Sequence, residues 1–243
     1  MRLVQFETDK YKVFIPHNDE FVGCEIRKSG RLWEDWIGDD IKQYYKSGTD
    51  ILDIGANIGT HSLMFSEIGP VHAFEPVFHE VTKLNIENND LKHTVKIYPI
   101  ALSDKKEVSN IYIPRTTSWG ARNYGGTSMH PNELTTHDTE NPIKCTCYPL
   151  DDVYDGVPSI MKMDVENHEI YVLKGAINTI KKHKPVIYAE ISDPETSEVM
   201  QFIENLGYKK PISKSDGVYV FIHAPPPYGK LMKKVIKELI VGY

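Results

Sequence analysis

The sequence has little cysteine, three residues in 243. Cys24 stands alone, and Cys145 and Cys147 sit two apart, on one face if that segment is a strand. A disulfide framework needs a larger, even set, and a structural metal site needs a second ligand pair at short spacing, so neither organises this chain. Reduced thiols in a cytoplasmic protein are the expectation. No apolar run approaches the ~20 residues of a membrane span, and Met1–Glu7 lacks the apolar stretch of a signal peptide. Internal repeats and low-complexity segments are absent as well. Positive charge is in deficit: 28 Lys and Arg against 34 Asp and Glu leave a net charge of -6. That disfavours a protein that grips nucleic acid by bulk charge.

What is present is an ordinary globular composition, 40% apolar and 26% charged, enough for a sizeable core and for one large domain or one domain with attachments. Leu3–Phe6 and Lys12–Ile15 read as short strands. Trp33, Ile37, Ile41 and Tyr44 recur at helical spacing and predict a helix from about Leu32 to Lys46. From Thr49 onward strands and helices alternate. The predicted strands are 50–54, 71–74, 95–102, 159–163 and 185–191; the predicted helices are 60–68, 78–89, 166–182 and 195–206. Tyr208–Ile212 and Val218–His223 flank Lys214-Ser215-Asp216-Gly217 as an antiparallel hairpin. The alternation predicts an α/β fold with a mostly parallel sheet covered by helices on both faces.

Four parts follow. Residues 1–49 are N-terminal strands and a helix, and 50–104 with 158–223 form the alternating core. Residues 105–157 are an insert containing strands near 108–113 and 144–150, and 224–243 are a C-terminal helix. A polar insert of that length inside a compact domain is usually functional, here as a lid over an acceptor. The C-terminal helix docks either on its own domain or on a second copy, as in a homodimer.

Ligands of such sheets bind at the C-terminal strand ends. The first strand ends in Asp53-Ile54-Gly55-Ala56-Asn57-Ile58-Gly59, where Gly55 allows close backbone approach and Gly59 close helix packing. The second ends in Glu75, 20 residues after Gly55, where a carboxylate can accept the hydroxyls of a ribose. A dinucleotide loop has glycine at the middle position, where this chain has Asn57, and an acid beside a pyrophosphate would be repelled. An acid beside an ammonium is attracted. S-adenosylmethionine, with a ribose, an ammonium and no phosphate, fits this loop better than a nicotinamide cofactor.

Asp53-Ile-Gly-Ala-Asn-Ile-Gly-Thr-His61, Ala73-Phe-Glu-Pro76, Ala101-Leu-Ser-Asp104 and Ile160-Met-Lys-Met-Asp-Val-Glu-Asn-His-Glu-Ile-Tyr-Val-Leu-Lys-Gly-Ala176 resemble, in order and spacing, the motif series of FkbM-type methyltransferases. The resemblance covers about residues 50–192. It implies a class I (Rossmann-like) S-adenosylmethionine fold, with S-adenosylhomocysteine as product, and O-methylation of a sugar, glycan or other small acceptor. By position it assigns Asp53, Gly55, Ala56, Asn57 and Gly59 to the cofactor loop, with Thr60 and His61 beside it. Glu75 and Pro76 fall at the ribose, and Ala101 and Ser103 at the adenine. The family usually has glycine where this chain has Asn167.

Asp164 closes the apolar fourth strand and so faces the cofactor and the acceptor; Glu190 ends the neighbouring strand, and Glu166 and His168 are expected in the first turn of the next helix. Asp164, Glu166, His168 and Glu190 are therefore the candidate catalytic residues, with proton removal from a hydroxyl as their task. The sign of the His168 pKa shift is open, because the helix N-terminus and the nearby acids oppose each other. Asp164 with Glu190 could alternatively hold a divalent metal ion, though no metal is favoured. Trp119, Arg122, Asn123 and Tyr124 of the insert are the candidate acceptor-binding residues, with His130 and His137 as outside candidates for catalysis. Competing readings are an RNA ribose 2′-O-methyltransferase, which would want a basic channel, and a non-catalytic module that binds the cofactor without turnover.

Overall fold

The computed structural model describes residues 1–131, 137–191, 193–215 and 217–223. The chain opens with β1 (Leu3–Glu7) and β2 (Lys12–Pro16), an antiparallel hairpin closed by Thr8, whose Oγ1 accepts from Tyr11 N at 3.0 Å. Two short helices follow, α1 (Val22–Ser29) and α2 (Trp36–Asp40), the second running into a 3-10 turn at Ile41–Gln43. This corrects the single helix expected over 32–46. Gly30 (φ 70°) terminates α1, and Glu34 (φ 48°) turns the chain left-handed, so no helix can run through it. Ile37 and Ile41 are nevertheless fully buried, as their spacing requires.

The core then runs β3 (Asp50–Ile54), α3 (Thr60–Phe65), β4 (Val71–Phe74), α4 (His79–Glu87) and β5 (Val95–Tyr98). The expected third strand, 95–102, is two strands. Pro99 has no N–H to continue the ladder, and the chain leaves the main sheet for β6 (Ala101–Leu102). With β7 (Glu107–Ile111) and β8 (Ile143–Tyr148), β6 forms a separate three-stranded sheet in the order β6-β8-β7. A short helix, α5 (Leu150–Val153), returns the chain to β9 (Pro158–Met163).

The helix expected over 166–182 is also divided, into α6 (Glu169–Gly175) and α7 (Ile177–His183). It starts three residues late because Glu166 and Asn167 adopt φ of 51° and 71°. Asparagine tolerates the left-handed region better than most residues, which explains how Asn167 stands in for the family's usual glycine. The chain continues through β10 (Val186–Glu190) and α8 (Glu198–Asn205), capped by Ser197, whose Oγ accepts from Met200 N. The predicted hairpin is β11 (Ile212–Ser213) and β12 (Val218–Phe221).

The main sheet has the order β11-β12-β10-β9-β3-β4-β5. Every pair from β10 to β5 is parallel, and β12 lies antiparallel to β10. Successive residues go to opposite faces: Ile51, Ile160 and Tyr188 enter one apolar cluster, and Leu52, Met161 and Ile187 the other. Both faces are buried, as a parallel sheet requires. From β3 the strand order runs outward in one direction and then in the other, so its C-terminal end, beside β9, is the switch point at which ligands bind.

Two anchors fix the N-terminal segment on this frame. Asp40 accepts from Tyr188 Oη on β10 and from Lys214 Nζ beside the hairpin, both at 2.7 Å. Asn85, fully buried on α4, accepts from Phe14 N (2.6 Å) and donates to the carbonyls of Phe14 (3.1 Å) and Ile58 (2.7 Å). No helix among the described residues is long and apolar enough to cross a membrane. The helix expected over 230–241 lies outside the described residues.

Asn85→Ala strands the Phe14 amide and two carbonyls in an apolar environment. We expect a loss of about 2–4 kcal/mol, read as a lower midpoint with an unchanged slope in urea denaturation.

Candidate functional site

The switch point is built on a backbone approach. Gly55 (φ 78°) leaves β3 so close to the end of β9 that a Cβ would collide with the Asp164 carbonyl oxygen. Its N–H and that of Ala56 donate to the Phe74 carbonyl at 3.0 and 3.1 Å, turning the loop toward β4. Gly59 (φ 85°) begins α3, and a Cβ there would lie 2.7 Å from Thr82 Cγ2. Thr82 Oγ1 in turn donates to the Asn57 carbonyl at 2.5 Å.

Glu75 is buried just after β4. Its Oε1 accepts from Val77 N (2.7 Å) and Phe78 N (2.9 Å), and its Oε2 from Asn57 N (2.8 Å). Two in-plane acceptor sites per oxygen leave one free, on Oε2. Glu75 therefore keeps room for one hydroxyl rather than the pair expected from the sequence, and it shapes the Gly55–Asn57 loop as well. Burial pushes its pKa up to about 7 against the pull of those three amides.

Lys162, on β9, is a buried cation between carboxylates. Its Nζ lies 3.2 Å from Asp164 Oδ2 and 3.9 Å from Asp53 Oδ1. Burial alone would push the ammonium pKa down; Asp164, Asp53 and Glu34 outweigh it and hold it above its ordinary value. Asp53 is fully buried and accepts from Ser62 Oγ at 2.5 Å. It is absent from the cavity wall and faces Lys162 instead.

Around Lys162 the acids crowd. Glu190, at the end of β10, is hydrogen-bonded to Asp164. Enclosure, followed by the charges of Asp164 and Glu166, pushes its pKa up to about 8. Its side chain is accessible and yet closely surrounded because it faces the cavity. Glu166 and Glu169 are each raised to about 7, mainly by burial. Glu166 is not in a helix at all, and His168 is the residue just before α6, which corrects the expectation that both occupy a first helical turn.

His168 also proves unlike a free base. Its Nδ1 is 2.9 Å from His130 Nε2, and its Nε2 is 3.1 Å from Ser103 Oγ, so both ring nitrogens are engaged. The open sign of its shift is downward: burial, then His130, take it to about 4. The pair stacks with Tyr171. With Ser128 Oγ donating to the Glu166 carbonyl at 2.6 Å, it ties the insert to the β9–α6 connection. His137 bonds the Gly126 carbonyl at 2.8 Å within the insert. Ser103 lies behind this wall, whereas Ala101 is on it.

These elements enclose a cavity of about 390 Å³. Of the sequence-predicted residues, Gly55, Ala56, Asn57, Thr60, His61, Glu75, Pro76, Ala101, Asn123, Tyr124, Asp164, Glu166, His168 and Glu190 line it; Asp53, Gly59, Ser103, Trp119 and Arg122 do not. Arg122 instead lies over the Tyr124 ring, 5.8 Å from its centroid. Sequence reasoning missed Lys162 as a site residue and also missed Phe21, Trp33 and Glu34, which come from the N-terminal segment. For Lys162 the signal was there, since strand alternation puts it on the side of Asp164. For the others, no motif exists.

The donor set suits S-adenosylmethionine. Ile100, Leu102 and Ile111 give an apolar wall for a base, Asn57 and Glu75 a polar one for a ribose. The opposite end carries Glu34, Asp164, Glu166 and Glu190 against Lys162. An excess of buried negative charge calls for a cationic ligand. Among the described residues no three His, Cys, Asp or Glu are grouped as a metal site needs.

Carboxylates whose pKa is raised on folding make the folded state the better proton binder, so stability is lost as pH rises toward those values. The buried histidines act oppositely, but only below about pH 6.5. We expect the ligand-free protein to lose on the order of 5 °C in Tm between about pH 6.5 and 8, with S-adenosylmethionine reducing the loss. A Tm that is flat or rises over that window would contradict the assignment of these groups.

A family model described as the methyltransferase FkbM domain matches residues 53–210. The hexuronic acid methyltransferase AglP of Haloferax volcanii is 26% identical over 175 residues, covering 68% of this chain and 66% of that protein. The crystal structure of an FkbM methyltransferase from Methylobacillus flagellatus KT superposes with a TM-score of 0.51 at 16% identity, over 73% of this chain and 46% of that one. That likeness concerns the fold, a class I methyltransferase sheet. The chain thus spans just under two thirds of one relative and under half of the other. With the matched segment covering most of the described core, the chain belongs to the FkbM methyltransferase family.

Proposed function

We propose that the protein is an S-adenosylmethionine-dependent O-methyltransferase that acts on a hydroxyl of a sugar or glycan. One observation carries it. A cavity at the switch point joins a nucleoside-type wall, made by Asn57 and Glu75, to the carboxylates Asp164 and Glu190 at the ends of neighbouring strands. Support for a sugar comes from AglP, a hexuronic acid methyltransferase, and from polar side chains of the insert such as Asn123 at the wall. The three cysteines are free, in keeping with a cytoplasmic protein.

When bound, S-adenosylmethionine supplies an activated methyl group on a sulfonium sulfur. The backbone of Gly55-Ala56-Asn57 and the free acceptor site of Glu75 would hold its nucleoside. Glu34 and Asp164 would face its cationic end, Thr60 and His61 its loop side. The protein's chemical task is to align a hydroxyl and take its proton. Glu190 suits that task, because a base is most effective when its pKa lies near the working pH. Asp164 stands against the Glu190 carboxyl, and the Lys162 ammonium lies 3.2 Å from Asp164 Oδ2. His168 is then a positioning residue that fastens the insert, residues 105–157, as a lid. A divalent ion on Asp164 and Glu190 is the competing device, and activity that survives exhaustive chelation removes it. For an RNA substrate the wall is ill suited: five carboxylates accompany its single lysine among the described residues.

Transfer of labelled methyl from S-adenosylmethionine to a panel of sugars tests the proposal. We expect an alkali-stable label, and kcat/KM rising with pH to a plateau above about 8, since the ionised form of Glu190 is the base. Glu190→Gln should lower kcat by about 10²–10⁴ while leaving cofactor affinity within a few-fold. Absence of cofactor binding by calorimetry would sink the reading, and an alkali-labile label would reassign the acceptor to a carboxyl group.

A further inference from the structure

Trp119 was expected at the acceptor, yet it lies off the cavity wall and is 77% exposed. Its turn is nonetheless firmly held. Thr117 N donates to the Ala121 carbonyl (2.8 Å), Gly120 N to the Thr117 carbonyl (2.9 Å), and Ala121 N to Thr117 Oγ1 (3.0 Å). The turn is also braced from outside the insert. Asn18 Nδ2 donates to the Gly120 carbonyl at 2.9 Å, and Arg122 N and Glu20 N complete a ladder with the carbonyls of Asn18 and Arg122. Rigid presentation of an exposed indole by two segments that meet only in the fold asks for a ligand.

Position says which ligand. Both strands of that ladder run into the cavity. Phe21, one residue beyond Glu20 and 50% exposed, lines it, as does Asn123, next to Arg122. Trp119 and Asn123 are four positions apart, which bounds their backbone separation at about 14 Å, the span of a short oligosaccharide. Trp33 adds a further aromatic at the wall. In sequence, Arg122 and Asn123 follow Trp119, and Asn18 and Glu20 precede Phe21, so hydrogen-bonding groups accompany these rings. A protein partner or a lipid surface would want a contiguous apolar patch. Alternating rings and hydrogen-bonding groups suit pyranose units, whose C–H faces stack on aromatics while their hydroxyls bond amides and carboxylates. Indole and phenyl rings also lose little conformational freedom on binding.

We propose that Phe21 and Trp119 form an outer subsite for the sugar units that flank the methylated one, so that the acceptor is an oligosaccharide chain rather than a free monosaccharide. The inference rests on the sugar methyltransferase reading and names its substrate class.

Titration of the intact protein with chitotetraose, maltotetraose and cellotetraose, each against its monosaccharide, followed by tryptophan fluorescence and calorimetry, tests it without any need for turnover. At least one tetrasaccharide should bind ten-fold or more tighter than its monosaccharide. Trp119→Ala should reduce that preference to within three-fold, and Trp119→Phe should retain part of it. No tetrasaccharide preference beyond three-fold, or one that survives Trp119→Ala, overturns the subsite. The two readings fail separately. A length preference without methyl transfer removes the catalytic reading alone, and methylation of monosaccharides without a length preference removes the subsite alone.

Discussion

The ammonium of Lys162 is the charge on which the site depends. It sits at the C-terminal end of β9 with Asp53 on one side and Asp164 on the other. Isolated, each of these buried ions would be expensive, and together they offset much of that cost. The fully buried Asp53 finds no hydrogen-bond donor for its Oδ1, so the lysine's field is what stabilises that oxygen. The consequence reaches past the triad. The next carboxylate outward, Glu190, is enclosed and faces the charges of Asp164 and Glu166, so it takes up a proton near neutrality. One cation and the order in which acids surround it thus separate an inner ion cluster from an outer carboxyl that titrates near neutrality.

That arrangement is assembled by topology. Parallel strands β3, β9 and β10 end side by side, so residues far apart in sequence, 53, 164 and 190, arrive at one edge. The approach of Gly55 to the Asp164 carbonyl sets how tightly that edge closes. The insert and the N-terminal segment then form the remaining walls. Both are secured by polar contacts to the core: His130 and Ser128 to the β9–α6 connection, Asp40 to Tyr188, and Asn85 to β2.

The sheet was legible in the sequence because its strands are short, apolar and punctuated by glycine and acids, a pattern that only a doubly covered parallel sheet explains. The turn after β3 was legible because a left-handed Gly55 and a strand-end Glu75 leave residue-type signatures. Three things were not. The breaks at Pro99 and at Glu166-Asn167 depend on backbone conformations that periodicity does not encode, and the helical stripe of Ile170, Leu173, Ile177 and Ile180 runs across the α6–α7 junction unbroken. The role of His168 depends on His130, 38 residues away in the insert, and a partner of that kind cannot be read from local context. The contribution of Phe21, Trp33 and Glu34 depends on how a segment without motifs folds back over the switch point.

These unequal legibilities have a common cause. Methyl donation uses one cofactor, so the residues that surround it are confined to a few backbone geometries and residue types. Acceptor choice has no such constraint and can be built from whichever segments reach the cavity mouth. In this chain the segments at the cavity mouth include residues 18–34 and 117–130, which are joined by a main-chain ladder and amide bonds as well as by the apolar cluster that holds Val22 and Tyr124. Ladders of that kind hold a loop in place while leaving its exposed side chains free to vary, so these segments can change without disturbing the carboxylate cluster behind them. The excess negative charge of the inner cavity argues the same division from electrostatics. It favours a cationic donor within, and on the proposed reading it leaves the acceptor to rings and amides further out, where little charge is needed.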